Sequence, residues 1–211
     1  MWRGEAGSVL YEPGDPVEST YFPCGASLAS FRVVLPDGES VEATLVGREG
    51  AVGGIVSHGR LPAYTRAVVQ HPGAFIRVET ARLEDAKLKS ITLRHIFARY
   101  ADCLLAQVFQ ATACNARHSI EQRTAKWLIA AMERTGDHVV PLTQEQLAGM
   151  LGVGRSYVNR VIRKWQSEKL LVWRRGELEV QNFYGLKARQ CDCNSAVKAH
   201  FDEVLAGTYP A

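Results

Sequence analysis

The stretch Gln144 to Arg163, which reads QEQLAGMLGVGRSYVNRVIR, limits the possible folds of this chain more than any other. Its apolar residues do not form one continuous helical stripe, because Gly152 interrupts the pattern after Leu151. Two short helices joined by a tight turn fit the spacing better. Ala148 is small enough for a second helix to cross there, and Gly152 can adopt the positive φ that the turn requires. The pattern predicts a helix-turn-helix.

The second helix of this motif, predicted over residues 154–168, has two distinct faces. Val153, Val158 and Val161 would be buried, while polar and basic side chains cover the rest. Such side chains can hydrogen-bond base edges and neutralise phosphates, so we predict a DNA-binding surface. An ordinary helical pair would explain the valines but not the basic face. The predicted surface comprises Thr143, also the N-cap candidate of the first helix, with Gln144, Arg155, Ser156, Tyr157, Asn159, Arg160, Arg163 and Lys164.

The distribution of charge agrees with this prediction. The chain has a formal net charge of only +3, but residues 117–190 contain 13 Lys and Arg against 7 Asp and Glu. Residues 1–116 contain 11 against 12. The excess of positive charge therefore surrounds the predicted helix-turn-helix, where a polyanion would need it.

Several other classes of protein are not expected. No stretch approaches the roughly 18 consecutive apolar residues that span a bilayer, and the N-terminus lacks the apolar core of a signal peptide. Five scattered cysteines do not resemble a disulfide framework. We therefore expect a cytoplasmic protein with reduced thiols and no membrane partner. Motifs such as G-x-S-x-G, G-x-x-x-x-G-K and H-E-x-x-H are missing, so we predict neither an enzyme nor a cofactor.

The first part of the chain, residues 1–82, has the pattern of an antiparallel β domain. The turn residues Pro36 to Glu39 separate a predicted strand over 27–35 from the alternating run over 40–46. Further strands are predicted over 64–70 and 74–78. Short strands at this spacing are typical of a sandwich or jelly roll. Together with the helices that follow, they predict an α+β fold whose first domain is a β jelly roll.

Residues 83–117 contain neither Pro nor Gly, and their apolar residues recur at intervals of three or four. We predict a single long helix, which would extend beyond a small barrel. A second copy of the same helix is the simplest cover for its apolar face, so a homodimer is expected. A helix packed wholly on its own barrel is the alternative. Cys103 and Cys114 lie on this helix, where they are expected to pack as small apolar side chains.

Residues 118–184 have the pattern of a winged domain. The predicted elements are an amphipathic helix over 119–134, a short strand over 139–142, the helix-turn-helix, and a hairpin around Arg175-Gly176 that forms the wing. Arg174 and Arg175 at the tip would either lie over a DNA phosphate or point into solvent. Residues 185–211 are predicted to be a C-terminal helical extension that packs against the winged domain.

The order of barrel, long helix and winged helix-turn-helix resembles the Crp/Fnr family of bacterial transcription regulators. The resemblance implies a homodimer that binds a pseudo-palindromic site in double-stranded DNA, with RNA polymerase as a further partner. It also implies that Arg155 and Arg160 read bases, whereas Ser156 stands where the family commonly has Glu, so the preferred site should differ. The motifs that carry it are Glu12-Pro-Gly-Asp15, Gly38, Val46-Gly-Arg-Glu-Gly50, Leu142-Thr-Gln-Glu-Gln-Leu-Ala148, Gly152-Val-Gly-Arg-Ser-Tyr-Val-Asn-Arg160 and Gly176.

The barrel departs from the members of that family that bind cyclic nucleotides. In those members a Gly-Glu pair holds the ribose and an Arg-Ser or Arg-Thr pair holds the phosphate, but here Gly50 is followed by Ala51. We therefore do not expect cyclic AMP to bind in the usual way, and Arg60 and Arg66 are only weak candidates for effector binding. Haem is not expected either. Only Cys24 lies in the first hundred residues, so an N-terminal iron-sulfur cluster held by four thiolates is not available.

Cys191-Asp-Cys193 leaves three interpretations open. The two thiols could form a redox switch, could supply half of a zinc site with His200 as a third ligand, or could be inert. A fourth zinc ligand is not visible in the sequence, so inert thiols and no metal are the default prediction. The alternative function that remains open is a β-barrel module that senses a small molecule or redox change and acts through protein partners.

Overall fold

Two antiparallel sheets form the N-terminal domain of the computed structural model, which describes residues 1–55 and 61–208. The strands are β1 (Trp2–Gly4), β2 (Val9–Tyr11), β3 (Ser19–Pro23), β4 (Leu28–Val34), β5 (Ser40–Val46), β6 (Arg66–His71) and β7 (Gly73–Glu79). One sheet has the order β1-β7-β3 and the other β2-β6-β4-β5. The expected α+β fold with a sheet-rich first domain is confirmed.

The hairpin between β4 and β5 shows why the sequence folds this way. Gly38 adopts a φ of 85° in the turn, and the Asp37 carboxylate accepts a hydrogen bond from the Glu39 amide at 3.0 Å. The strand predicted over 40–46 has the predicted bounds. Strands β1, β2 and β3 were not predicted. The interior is apolar and contains Tyr21, Ala29, Val46, Val52, Ala67, Val69 and Phe75.

The prediction of one helix over residues 83–117 is wrong. The segment contains two helices, α1 (Thr80–Lys89) and α2 (Ile91–Arg117), separated by Ser90. Ser90 has an extended backbone, with φ −132° and ψ 107°, and its hydroxyl accepts a hydrogen bond from the Leu93 amide at 3.2 Å. The serine therefore starts a new helix by capping it, even though Gly and Pro are missing.

The winged domain contains α3 (Ile120–Thr135), β8 (Val139–Pro141), α4 (Gln144–Leu151), α5 (Arg155–Ser167), β9 (Leu171–Arg174) and β10 (Glu177–Val180). Ser119 and Thr143 each close a capping box at the start of α3 and α4. Gly136 and Gly152 end these helices in the left-handed conformation, with φ of 72° and 64°. The three strands form one sheet in the order β8-β10-β9.

The C-terminal extension forms two helices, α6 (Phe183–Lys187) and α7 (Cys193–Val204), which divide the helical segment predicted from 185 onward. Contrary to the prediction, α7 packs along α2 rather than mainly against the winged domain. His200 Nε2 lies 3.2 Å from Asp102 Oδ2 on α2, and Leu205 packs against Tyr100 and Cys103. The extension therefore covers one side of the long helix.

The barrel and the winged domain are in contact. Trp127 on α3 donates its indole N–H to Glu42 Oε1 on β5 at 2.5 Å, and Arg134 pairs with Glu49 at 2.7 Å. A cavity of about 390 Å³ lies between the barrel, α2, α3 and α7. These contacts thus hold the winged domain against the first domain. Among the described residues, no helix has the length and apolar character needed to cross a membrane.

Candidate nucleic-acid interface

Helix α5 is held in place by the buried face that the sequence pattern indicated. Val158 and Val161 are buried as predicted, whereas Val153 precedes the helix and is only half-buried. Ile162 and Trp165 are also buried, both 0% exposed, and sequence reasoning did not single them out. Ile162 lies four residues after Val158 and Trp165 lies four residues after Val161, and this helical spacing was the available signal.

The outer face of α5 presents a polar and basic surface. Asn159 is half-buried and the remaining predicted side chains are exposed, namely Arg155, Ser156, Tyr157, Arg160, Arg163 and Lys164. Because the buried residues fix the rotation of the helix, these side chains share the surface that faces away from the core. The structure therefore brings together the α5 residues that the sequence assigned to DNA binding.

Two of these side chains, Arg155 and Arg160, contact neighbouring residues on the same surface. The Arg155 guanidinium lies 3.5 Å from Glu145 Oε2, with side chains 63% and 74% exposed. An exposed pair of this kind contributes at most about 1 kcal/mol, so a phosphate or base could replace Glu145. The Arg160 guanidinium carbon lies 4.8 Å from the centre of the Tyr157 ring, which orders the arginine through a cation–π contact.

Lys164 has an internal partner. Its ammonium lies 2.8 Å from Glu121 Oε1, and the same oxygen accepts the Trp165 indole N–H at 3.0 Å. The hydrogen bond from Lys164 lowers the pKa of Glu121. Glu121 on α3 therefore fixes the C-terminal half of α5, and Lys164 takes part in holding the helix as well as in the basic surface.

The first helix of the motif, α4, has a capped N-terminus. Thr143 Oγ1 accepts the Gln146 amide at 3.1 Å, and Gln146 Oε1 accepts the Thr143 amide at 2.7 Å. Gln144 is half-buried in the first turn. The Thr143 hydroxyl thus caps α4, and its DNA-binding role remains a prediction.

The wing is a hairpin closed by a two-residue turn. Arg174 and Glu177 are paired across β9 and β10, and the two intervening residues, Arg175 and Gly176, have φ of 30° and 87°. Positive φ at both positions matches the twist of the strands. The Arg174 side chain is 71% exposed and lies 3.9 Å from Glu179. Both arginines are accessible at the tip.

The effector candidates do not form a phosphate site among the described residues. Arg66 lies on β6, where its Nε donates to Glu12 Oε2 at 2.7 Å. The side chain is therefore already paired with a carboxylate. Arg60 lies outside the described residues. Ala51 and Val52, which occupy the segment of the family's ribose-binding pair, are buried at 2% and 0% exposure.

The two C-terminal cysteines lie beside two other ligand residues. Cys114 and His118 at the end of α2 join Cys191 and Cys193, and the four ligand atoms all lie within 4.8 Å of one another. The sequence did not predict this grouping, because the residues are more than 70 positions apart. His200, which the sequence offered only as a weak candidate for a third ligand, pairs with Asp102 instead. Cys103 is buried inside the chain, as expected for an apolar packing residue.

Comparison with known proteins agrees with this architecture. Residues 122–189 match the family model of the Crp-like helix-turn-helix domain. A search of curated protein sequences gives no significant match.

Transcription regulators are among the solved structures with a similar fold. FixK2 from Bradyrhizobium japonicum superimposes with a TM-score of 0.72 at 15% identity, over 90% of this chain and 96% of that chain. TTHB099, a regulator of the CRP family from Thermus thermophilus, gives 0.72 at 18% identity with the same coverage. The c-di-GMP-responsive regulator CLP from Xanthomonas campestris gives 0.64 at 15% identity, over 85% of this chain and 92% of that chain.

Residues 122–189 are thus a Crp-like helix-turn-helix domain, which is a DNA-binding domain. The chain as a whole has the fold of the Crp/Fnr transcription regulators, and the resemblance noted in the sequence is confirmed at both levels.

Proposed function

We propose that this protein is a sequence-specific DNA-binding regulator that acts as a homodimer and inserts α5 into the major groove. The observation that carries the proposal is the exposed polar face of α5, held outward by a fully buried opposite face. Arg155 and Arg160 supply bidentate donors for guanine, and Ser156 and Asn159 supply smaller polar groups. Arg163, Arg174 and Arg175 are assigned to phosphates.

The proposed dimer is supported by an apolar surface on α2. Leu105, Val108 and Phe109 are 49%, 37% and 64% exposed. We call these three residues the α2 stripe. Helical spacing places Leu105 opposite the buried Cys103, so the stripe lies away from α7 and the chain's own core. A second copy of α2 would cover it. The two α5 helices would then enter successive major grooves about 34 Å apart on a pseudo-palindromic site.

We propose that the barrel either changes the separation of the two α5 helices through α2 or has no regulatory role. An effector can switch the protein only if it binds two arrangements with different affinity. We propose that cyclic AMP is not that effector, because Ala51 takes the place of the ribose-binding Glu and Arg66 is paired with Glu12. Calorimetric titration with cyclic AMP, with c-di-GMP as a second arm, tests this. Micromolar binding of cyclic AMP that Arg66→Ala removes would refute it.

Contact with RNA polymerase is proposed from the family resemblance alone.

The DNA proposal is tested by selecting a binding site from random duplexes with the full chain and measuring affinity by fluorescence anisotropy. Arg155→Ala should cost about 1–3 kcal/mol per half-site and relax the preference at one base pair. Arg3→Ala is the matched control, because Arg3 is an exposed arginine on the barrel and its loss changes the net charge equally. The control should leave affinity unchanged.

Salt dependence separates this proposal from the alternative, a sensor barrel with an inactive winged domain. A DNA reader should lose affinity with a log–log slope of about −0.9 for each phosphate contacted. Selection that enriches no sequence, together with equal affinities for wild type and Arg155→Ala, would favour a module that acts through protein partners.

A further inference from the structure

We propose that Cys114, His118, Cys191 and Cys193 bind one Zn²⁺ ion in a tetrahedral Cys₃His site that fastens the C-terminal extension to the end of α2. The three thiols are 0%, 5% and 5% exposed and form a cluster of their own. His118 is half-buried beside them. The four ligand atoms lie within 4.8 Å of one another.

The distances fit a single zinc ion. With Zn–S of about 2.3 Å and Zn–N of about 2.0–2.1 Å, tetrahedral angles place two sulfurs about 3.8 Å apart and a sulfur and a nitrogen about 3.5 Å apart. Cys114 Sγ lies 3.6 Å from Cys191 Sγ. Cys193 Sγ lies 3.5 Å from His118 Nδ1. These two pairs of donors therefore already have the separations of a mononuclear site, and the remaining pairs lie within 4.8 Å.

The sequence positions explain how the four ligands converge. Cys114 and His118 are four residues apart at the C-terminal end of α2, so their side chains project from the same side of the helix. Cys191 and Cys193 flank Asp192, the N-cap of α7. Each pair is thus formed locally, and the packing of α7 on α2 brings the two pairs together.

Burial raises the pKa of the Cys191 thiol to about 12, so zinc would have to displace its proton, but hydrogen-bond donors and a cation lie beside the cluster. Gln110 Nε2 donates to Cys193 Sγ at 3.1 Å, and the Cys193 amide donates to Cys191 Sγ. Arg123 lies close enough to interact electrostatically with Cys114 and Cys191. Three thiolates and one Zn²⁺ carry a net charge of −1, which a nearby guanidinium compensates. Such outer donors orient zinc ligands and tune their affinity.

The two alternative roles for these thiols, a disulfide and an iron-sulfur cluster, explain the positions of the four residues less well. A disulfide between Cys114 and Cys191 would leave the contact between Cys193 and His118 unexplained. An iron-sulfur cluster needs its thiolates spread around an inorganic core, whereas these four donor atoms lie within 4.8 Å of one another. Three soft thiolates with one imidazole and no open position are typical of structural zinc.

The site would close a large loop of the chain. Residues 119–190, between His118 and Cys191, include the winged domain, so the ion would fix both ends of that domain to α2. Its role would be structural: it would hold α7 in place and limit the movement of α3 where the DNA-binding domain joins the long helix.

The experiment begins with the metal content of the full chain by mass spectrometry. About one zinc per chain is expected, and Cys114→Ser, His118→Ala, Cys191→Ser and Cys193→Ser should each lose most of it. Cys24→Ser and His200→Ala are the controls and should keep it, because Cys24 is distant and His200 pairs with Asp102. Zinc in Cys191→Ser equal to that in wild type would overturn the proposal.

A second measurement uses wild type alone, so that it does not depend on the folding of variants. Chelator-treated protein is titrated with Co²⁺, and one equivalent should give the absorption of a tetrahedral site with thiolate-to-cobalt charge transfer. Zinc should also protect three of the five cysteines from alkylation, leaving Cys24 to react first. Purified protein that contains iron with sulfide, or a disulfide between Cys114 and Cys191, or that fails to bind Co²⁺, would overturn the assignment.

Discussion

Trp127 donates its indole N–H to Glu42 at 2.5 Å, and this hydrogen bond joins α3 of the DNA-binding domain to β5 of the barrel. Gln70 donates to the other carboxylate oxygen at 3.1 Å and also contacts Met150 at the end of α4. Glu42 and Gln70 together therefore connect the barrel with two helices of the winged domain. Movement of this domain relative to the barrel would require these bonds to break.

The Glu42 contact should make stability depend on pH. Burial raises the pKa of Glu42 above its ordinary value of 4.5, and the hydrogen bonds from Trp127 and Gln70 only partly oppose this. The folded chain therefore keeps a proton that the unfolded chain has lost. As a result, the free energy of unfolding falls as pH rises from 4.5 through the raised value.

Glu42→Gln removes the titrating group while keeping an oxygen for Trp127, so this part of the pH dependence should flatten. Urea unfolding followed by tryptophan fluorescence between pH 4.5 and pH 8 measures it. Glu39→Gln changes an exposed carboxyl in the neighbouring turn and should leave the slope as in wild type. Parallel slopes for all three proteins would contradict the expectation.

The wing should contribute one phosphate contact through Arg175. Arg175→Ala should weaken DNA binding at every sequence and reduce the magnitude of the salt slope by about 1. Lys169→Ala is a closely matched control, because Lys169 is also basic and exposed and also has a positive φ, of 57°. If both variants change the slope equally, the wing is a solvated turn and the effect is one of net charge.

Local patterns predicted which side chains of α5 are exposed, whereas contacts between distant segments could not be predicted from the sequence. Val158 and Val161 fixed the rotation of α5, and the turn glycine Gly152 fixed its start, so the outward position of Arg155 followed from spacing alone. The break at Ser90 was missed because a capping serine interrupts a helix less visibly than Gly or Pro.

The group of four potential metal ligands, in contrast, could not be predicted from local sequence patterns. The sequence identifies Cys191 and Cys193 as a pair, but the one further ligand that it suggests, as a weak candidate, is His200, which lies nearby in the sequence. The structure brings in Cys114 and His118 through the packing of α7 on α2, which a single sequence does not encode as a pattern. The pairing of Glu42 with Trp127, 85 residues apart, was invisible for the same reason.

Gln110 should tune the affinity of the proposed zinc site without being a ligand. Gln110→Leu removes the N–H donated to Cys193 and keeps a side chain of similar length, so zinc affinity should fall by roughly 10–100-fold. Competition with a chromogenic chelator measures it. Gln107→Leu, one turn earlier, removes a donor to the Leu45 carbonyl instead and should leave zinc affinity unchanged. A site that binds zinc equally in both variants would show that Gln110 plays no part.

The α2 stripe should determine both oligomeric state and DNA affinity. Phe109 is 64% exposed in the single chain, and a second copy of α2 would bury its ring. Phe109→Asp would then place a charge in an apolar interface, and the charge would have no partner there. We expect a monomer at micromolar concentration by sedimentation velocity, with an unchanged far-ultraviolet spectrum because the side chain is not part of the chain's own core.

Loss of the dimer should also remove most of the affinity for a two-half-site duplex, because the second α5 would no longer be linked to the first. Affinity for a single half-site should stay as in wild type. Leu88→Asp is the control, since Leu88 is equally exposed at 64% but lies on α1, outside the stripe. A Phe109→Asp protein that remains dimeric would place the interface elsewhere. If wild type itself sediments as a monomer and still binds the full site tightly, the two-fold arrangement proposed here is wrong.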